Sequence, residues 1–294
     1  MDLILRHSRV DPSTYPLVMG ILNVTPDSFS DGGDYFEPKD AVARALEMIE
    51  DGADIIDIGG ESTRPGASDV PEDEQIKRTV PVVESIRARN NSIPISIDTC
   101  LSTVAHAALE AGADVINDIS AFRDDPEMVE LAARTGVPVV LMHRKGKPAT
   151  MQQEGGPQYD DVITEVCDFL RERVAFAVNR GLDPSKLILD PGIGFGKRVE
   201  HNLSILRNLG RFVALGQPVL VGASRKSFIG NVLESAIARG DGSAKYRENP
   251  RQREAASLAC AAMAVGAGAA IIRAHDVRST VEVVRLSAAV RQAT

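Results

Sequence analysis

Ile55-Ile56-Asp57-Ile58 is a short, mostly apolar run that ends at Gly59-Gly60-Glu61, where flexible and polar residues begin. Seven further runs of this kind lead to Asn23, Asp98, Asn117-Asp118, His143, Asp190, Ser224-Arg225-Lys226, and Arg273 with His275. Short β-branched runs that alternate with helical stretches indicate buried parallel strands. Eight of them predict an α/β fold, the (β/α)8 TIM barrel, in which functional residues lie at the C-terminal ends of the strands.

The length of the chain fits this architecture. A barrel can hold all 294 residues in one domain, so we expect a single domain over residues 1–294. Leu3-Ile4-Leu5 and the turn around Asp11-Pro12-Ser13 predict a short N-terminal hairpin at the bottom of the barrel. Arg239 to Arg253 is rich in Gly, Lys, Arg and Glu, which predicts a polar, exposed insertion before the last strand.

The composition restricts the class of partner. A formal net charge of −8 argues against a general nucleic-acid binder and leaves room for a local cationic pocket. Cys100, Cys167 and Cys260 form no Cys-x-x-Cys pair and no even-numbered disulfide framework, which indicates a reducing, cytoplasmic setting. We therefore expect small-molecule substrates, with neither nucleic acid nor membrane as a partner.

Three hydrogen-bond acceptors end separate predicted strands: Asp98, Asn117 and Asp190. Each alone has a simpler explanation, since Asp98 with Thr99 could cap the following helix. Together at one barrel mouth they suit a flat heterocycle that presents N–H donors and a carbonyl. The glycine-rich run from Pro191 to Gly196 would let the backbone and Phe195 approach such a ring.

Basic residues follow the ends of several other predicted strands. Arg64, Lys226, Arg273 and His275 are all placed there, and Ser224-Arg225-Lys226 opens a predicted helix. Cations near a helix N-terminus favour an anion, typically phosphate. The five histidines have no metal-binding spacing, so any metal is expected to be Mg2+ held by oxygen atoms and substrate phosphates.

Two loops are longer than ordinary strand–helix connections. They run from Asn23 to Gly33 and from Gly59 to Ala67. Loops of this kind at a barrel mouth are candidate lids. Flexible surface loops without a role are the alternative.

The motifs at these positions resemble those of the dihydropteroate synthase family over nearly the whole chain. They are Met19 to Gly33, Asp57 to Gly66, Asn117 to Ser120, Asp190 to Lys197, Ser224 to Lys226 and His275 to Val277. The resemblance implies a transferase of folate biosynthesis, a sulfonamide target and a homodimer. It would condense (7,8-dihydropterin-6-yl)methyl diphosphate with 4-aminobenzoate to give 7,8-dihydropteroate and diphosphate.

The resemblance also implies roles for individual residues, and we expect Lys226, Arg64, Asp98 and His275 to be catalytic. The implied pterin contacts are Asp98, Asn117, Asp190 and Lys226, with Arg273 along the pterin face. The implied diphosphate and Mg2+ site comprises Asn23, the metal ligand, with Arg64 and His275. The implied surroundings of 4-aminobenzoate are Thr63, Pro65, Phe29 and Ser224.

The chain departs from the family pattern in three places, one of which is the segment around Arg239 to Asn249, which is longer than typical. Arg144 stands where an uncharged residue is common, and we expect it to face solvent; Ala256 stands where Gly is usual.

Two other functions are compatible with part of the pattern. A pterin-binding methyltransferase on a related barrel, or a non-catalytic pterin-binding paralogue, would keep the acceptor residues. Neither needs a diphosphate site. The sequence assigns no role to His143.

Overall fold

The computed structural model describes residues 3–6, 8–12, 14–25, 38–62, 69–146, 151, 157–237 and 246–293. Two antiparallel strands come first, β1 Leu3–Leu5 and β2 Ser8–Val10. The barrel strands are β3 Leu17–Asn23, β4 Ile55–Gly59, β5 Ile95–Asp98, β6 Val115–Asp118, β7 Val139–Met142, β8 Leu187–Asp190, β9 Leu220–Val221 and β10 Ile271–Ala274.

All eight barrel strands are parallel, in the order β8-β7-β6-β5-β4-β3-β10-β9. A parallel bridge between Leu189 and Val219 joins β8 to the residue before β9, and Leu189 N donates to Pro218 O at 2.9 Å. This bridge closes the sheet on itself. The prediction of eight parallel strands in a TIM barrel is confirmed.

The barrel interior is apolar at its N-terminal end. An apolar layer there comprises Leu17, Met19, Ile55, Val115, Val140, Ile188, Leu220 and Ile271. Leu3 and Leu5 of the hairpin belong to the same cluster, and both are almost fully buried. Burial of two leucines contributes about 1.5–3 kcal/mol each. The predicted hairpin therefore exists and closes the bottom of the barrel, but the prediction that its turn lies around Asp11-Pro12-Ser13 is wrong: Leu5 pairs with Ser8, so the chain reverses between these two residues.

Ten helices lie within the described residues and surround the barrel. They are α1 Pro38–Glu50, α2 Glu72–Arg89, α3 Ser102–Glu110, α4 Glu127–Thr135, α5 Val162–Asn179, α6 Val199–Arg207, α7 Leu209–Val213, α8 Ser227–Ile237, α9 Glu254–Gly266 and α10 Val277–Gln292. Within the described ranges, no helix is long and apolar enough to cross a membrane.

The expected insertion at 239–253 is only partly exposed. Residues 238–245 lie outside the described residues, and Pro250–Arg253 forms a short 3-10 helix. Arg253 is buried, and its guanidinium donates to Arg225 O at 2.8 Å. The exposure predicted for Arg253 is wrong because composition cannot show that a cation will find backbone carbonyls to bond.

Candidate functional site

Alternation along the strands turns a second, polar layer of side chains toward the C-terminal end of the barrel. Arg273 of β10 lies at its centre: Nε donates to Asp57 Oδ2 at 2.6 Å, and Nη2 donates to Asp98 Oδ2 at 2.7 Å. Asn117 Nδ2 donates to the same Asp57 oxygen at 3.1 Å. Four strands thus contribute to one hydrogen-bonded cluster. Two carboxylates, one guanidinium and one amide form it.

Asp57 is a functional candidate that the sequence patterns did not mark. Candidates were the residues that follow each apolar run, whereas Asp57 lies inside the run from Ile55 to Ile58. Its side chain is fully buried and ion-paired with Arg273. The signal was a carboxylate within an apolar strand, because a buried charge is costly unless it is paired. Burying Asp57 therefore required a cation from elsewhere in the barrel.

The helix-cap explanation for Asp98 is wrong. Helix α3 begins at Ser102, and Leu101 occupies its N-cap without a side-chain hydrogen bond. Asp98 instead lies against Arg273 and is 9% exposed. Burial raises the pKa of Asp98 to about 7, and the Asp57 charge adds to this rise while Arg273 opposes it.

Asp190 ends β8 at the same mouth. Its Oδ1 accepts from Gly192 N at 2.7 Å. Burial raises the pKa of Asp190 to about 6, although that hydrogen bond and the nearby Lys226 oppose the rise. Asp98 and Asp190 are therefore both carboxyl groups that titrate close to neutral pH.

Apolar side chains lie beside these acceptors. Ile119, Met142, Met151 and Phe195 form a small cluster, with Cys100 packed against it. Lys226 Nζ lies 3.9 Å from the centre of the Phe195 ring, a cation–π contact. The arrangement offers a flat ligand an apolar face, and acceptors and cations at its edges.

A cleft of about 350 Å3 opens from the mouth and is lined by Asn23, Phe195, Ser224, Lys226, Arg273 and His275, among others. His275 Nδ1 lies 3.0 Å from Ser224 Oγ, and His275 N donates to the same hydroxyl at 3.2 Å. Arg273 and His275, two residues apart in the sequence, both line this cleft. An adjoining basin of about 860 Å3 also includes Asn23, Arg44, Arg225, Arg251 and His275.

Four predicted substrate contacts lie outside the described residues: Phe29, Thr63, Arg64 and Pro65. The described residues on either side of 63–68 are tied together. Glu61 Oε1 accepts from Val70 N at 2.8 Å, and Gln75 Nε2 donates to Val70 O at 2.9 Å. Burial raises the pKa of Glu61, while its bond to Val70 opposes the rise. Glu61 therefore joins the end of β4 to the residues that precede α2.

The strand end at His143 differs from the others. His143 is buried, and its Nδ1 lies 2.9 Å from the Nζ of Lys197, which is also buried. Its ring meets the edge of Phe169 at 4.8 Å between centroids. Burial and the Lys197 charge lower the pKa of His143 to about 2, so the imidazole is neutral.

Arg144 is not directed to solvent, which corrects the expectation from the sequence. Its side chain is 3% exposed and forms an ion pair with Asp124. Arg144 Nη1 donates to Gly146 O at 2.9 Å, and its own carbonyl accepts from Arg123 at 2.9 Å. A charge can be buried here because Asp124, twenty residues away, neutralises it.

The comparisons with known proteins agree with this geometry. A model of the pterin binding enzyme family matches residues 19–275. The dihydropteroate synthase of Escherichia coli K12 is 47% identical over 286 residues, which are 97% of this chain and 95% of that protein.

Two solved structures are similar over the full length. A Yersinia pestis dihydropteroate synthase with a sulfonamide drug has a TM-score of 0.89 and 44% identity, and all of both chains is covered. A Xanthomonas albilineans dihydropteroate synthase with 7,8-dihydropteroate has a TM-score of 0.84 and 39% identity, again over all of both chains. The chain therefore belongs to the pterin binding enzyme family and, within it, to the dihydropteroate synthases, which are transferases of folate biosynthesis.

Proposed function

We propose that the chain condenses (7,8-dihydropterin-6-yl)methyl diphosphate with 4-aminobenzoate, giving 7,8-dihydropteroate and diphosphate. The observation that carries the proposal is the polar layer itself: Asp98, Asn117 and Asp190 meet at one mouth beside Lys226 and Arg273. The xanthomonad relative bound to 7,8-dihydropteroate, the product of this reaction, supports it further.

The pterin subsite comprises the three acceptors and the apolar face of Phe195. Ionised Asp98 and Asp190 accept from N–H groups at the amino-pyrimidinone edge, while the Asn117 amide can both donate and accept. Each charge-assisted hydrogen bond contributes about 1.5–3 kcal/mol. On ligand binding, Arg273 exchanges part of its contact with Asp98 for the face of the ring.

We assign the diphosphate subsite to Asn23 and His275, which line the cleft, together with Arg64, which lies outside the described residues. Its donor set fits Mg2+. Asn23 supplies an amide oxygen at a strand end that lines both the cleft and the basin. Among the described residues, no group of three or more His, Cys, Asp and Glu could hold a metal. Mg2+ characteristically binds through one or two protein oxygens plus substrate phosphates. When bound, the ion neutralises charge on the departing diphosphate.

The protein's own residues stabilise the leaving group and orient the nucleophile. Lys226 and Arg64 supply positive charge, and His275 a ring N–H donor, where negative charge develops as the carbon–oxygen bond breaks. Ser224 holds His275 through two contacts, which orients the imidazole. The arylamine is neutral at pH 7 and attacks without a general base; the ammonium formed when its nitrogen bonds to the methylene carbon then releases one proton to the departing diphosphate.

We propose a dissociative, SN1-like step. The ring nitrogens delocalise the positive charge left on the pterin methylene carbon, and Phe195 shields one side of the pocket. Water would trap this cation, so the loops around Phe29 and around Thr63 and Pro65 exclude it.

Mixing the pterin diphosphate, 4-aminobenzoate and Mg2+ with the protein tests the function. Stoichiometric diphosphate release that requires 4-aminobenzoate is the expected result. A corrinoid-dependent methyltransferase or a non-catalytic pterin-binding protein would release none. Absence of diphosphate release by folded protein that binds the pterin would reject the proposal in favour of one of these.

The functional unit is a homodimer in this proposal. Leu286 and Val290 lie four residues apart on α10, so they share one face, and each is 68% exposed. Met263 on the adjoining α9 is 53% exposed. Light scattering should give a dimer, and Leu286→Asp should give a monomer. Leu203→Asp on α6 is the matched control. A monomeric wild type would contradict the assignment.

The cellular location stays a prediction. Cys100, Cys167 and Cys260 are free thiols, and Cys167 and Cys260 are buried. Burial raises the pKa of Cys260 to about 11, so this thiol stays protonated and unreactive. We propose that the protein works in the cytoplasm as one domain over residues 1–294.

A further inference from the structure

Lys197 is the last residue of the Asp190 to Lys197 motif, and the proposed chemistry does not use it. Its side chain is 2% exposed. Nζ donates to Gly192 O at 2.9 Å, Phe195 O at 3.1 Å and His143 O at 3.2 Å, and it lies 2.9 Å from His143 Nδ1. Burying an ammonium group is costly, so a site that satisfies one so fully calls for an explanation.

We infer that Lys197 is a positioning residue for the pterin subsite: its buried ammonium ties the loop after β8 to the end of β7 and thereby fixes Asp190 and Phe195. The inference rests on the proposed function, because it concerns how the pterin is held. It also assigns a role to His143, whose neutral ring accepts from the ammonium. An ammonium has no acceptor, so the ring proton must be on Nε2.

The path from Lys197 to the ligand is short. The loop that Lys197 holds is the one whose Gly192 N donates to Asp190 Oδ1 at 2.7 Å. The same ammonium bonds the carbonyl of Phe195, whose ring contacts Lys226. One buried charge thus secures the backbone beside an acceptor and beside the apolar face. Supporting contacts of this kind decide whether a binding site is held in its productive geometry.

Two glycines make the close approach possible. A Cβ at Gly192 would collide with His143 O, and a Cβ at Gly196 would collide with Lys145 O. Both glycines also have positive φ, at 69° and 58°. The loop therefore packs directly on the backbone after β7, and the ammonium sits where the two backbones meet.

Charge gives the inference a signature that a purely structural lysine would lack. The positive charges that face Asp190 are Lys226, Lys197 and Arg273, and each lowers the pKa of Asp190. Removing one of them raises that pKa. On acidification, a variant without one of these charges would therefore lose pterin binding at a higher pH than the wild type does.

The charged groups around Lys197 set its own pKa and thus the pH at which the variants should be compared. Burial lowers the pKa of Lys197 to about 7; the Asp190 charge opposes this, while Lys226 and Arg123 add to it. His143 is neutral, so it does not titrate near this pH. The comparison of variants is therefore made below pH 7, where Lys197 of the wild type carries its charge.

The decisive comparison is between Lys197→Met and Lys186→Met. Lys186 precedes β8 at the opposite end of the same strand and serves as the control. The probe is 6-hydroxymethyl-7,8-dihydropterin, which lacks the diphosphate and so reports on the pterin subsite alone. Calorimetry at pH 6.5 should show a Kd raised on the order of 10- to 100-fold in Lys197→Met, the loss typical when a supporting contact is removed. Lys186→Met should match the wild type.

The pH dependence separates positioning from mere stability. As the pH is lowered, pterin binding weakens below a certain pH, which we call the acid limb of the binding profile. In Lys197→Met this acid limb should lie at a higher pH than in the wild type. Lys197→Gln, which keeps two N–H donors without the charge, should show the same movement with a smaller rise in Kd. A folded Lys197→Met protein with an unchanged Kd and an unchanged acid limb would overturn the inference.

A measurement on the unmutated protein covers the case in which these variants do not fold. With lysine labelled at Nζ with 15N, the Lys197 ammonium should give a slowly exchanging signal that shifts on adding the pterin. A spectrum without a slowly exchanging ammonium signal, or one in which that signal does not shift on adding the pterin, would contradict the positioning role of Lys197. If the wild type binds no pterin at all, the proposed function itself fails. If it binds and turns over normally while Lys197→Met is unchanged, only this inference fails.

Discussion

Arg273 Nη2 donates to Asp98 Oδ2 at 2.7 Å, so an arginine from the last barrel strand neutralises a carboxylate from the third. Its Nε bonds Asp57 at the same time. The side chains of the polar layer therefore hold one another in place. Its parts depend on one another.

Removing Arg273 should destabilise the protein as well as impair binding. Arg273→Met leaves Asp57 and Asp98 buried without their cation, which costs about 3–5 kcal/mol. Urea unfolding measures the loss. Arg180→Met is the control, because Arg180 pairs with Glu130 on the surface, where an ion pair contributes at most about 1 kcal/mol. Equal losses in the two variants would contradict the central position of Arg273.

Pterin binding should weaken as the pH falls through the pKa values of Asp98 and Asp190, about 7 and about 6. A carboxyl group accepts from the pterin N–H donors only when it is ionised, so below its pKa it must first lose a proton. The Kd should rise about tenfold per pH unit for each protonated carboxyl and should level off above pH 7. Calorimetry from pH 5 to 8.5 measures this, and a flat profile would contradict it.

Asp57→Asn should move that profile to lower pH. The negative charge of Asp57 raises the pKa of Asp98, after the larger effect of burial. Taking the charge away lowers the pKa of Asp98, so ionised Asp98 persists in more acid solution. The acid limb of pterin binding reports the change. A limb that moved to higher pH would show that Asp57 acts mainly by holding Arg273.

Lys226→Ala should lose activity while the fold survives. Lys226 lies at the barrel mouth on Phe195, outside the apolar layer that closes the barrel. Loss of a charged donor at the leaving group should lower kcat/KM on the order of 100-fold or more. Lys77→Ala, an exposed lysine on α2, should be unaffected. Normal turnover by folded Lys226→Ala would remove the role assigned to it.

The dissociative step can be tested without 4-aminobenzoate. The label is 18O at the oxygen that joins the methylene carbon to phosphorus. If diphosphate separates and returns within the site, this label should scramble into non-bridging positions of bound substrate. Phosphorus NMR spectra detect the exchange, because the 31P isotope shift differs between bridging and non-bridging 18O. Complete absence of scrambling, with substrate bound and Mg2+ present, would favour direct displacement by the arylamine.

The strands and most of the candidate site were predictable because both depend on local patterns. Each barrel strand follows from an apolar run such as Val139 to Met142, and its functional residue follows directly in the sequence. Arg253 and Arg144 were wrongly expected in solvent because their partners are distant or are backbone carbonyls. Asp57 was passed over because its place inside a strand gave no sign of which cation would neutralise it.

The sequence by itself determined eight parallel strands and the residues at their ends, because alternation and helix spacing act over a few residues. Only the tertiary structure decided which of these residues meet. Asp57 and Arg273 are 216 residues apart, and they are joined because the closed barrel places β4 and β10 on either side of β3. Lys197 and His143 meet because two loops converge on one buried charge. Such pairings depend on closure of the whole barrel and on the cost of burying an unpaired charge, which no local pattern records.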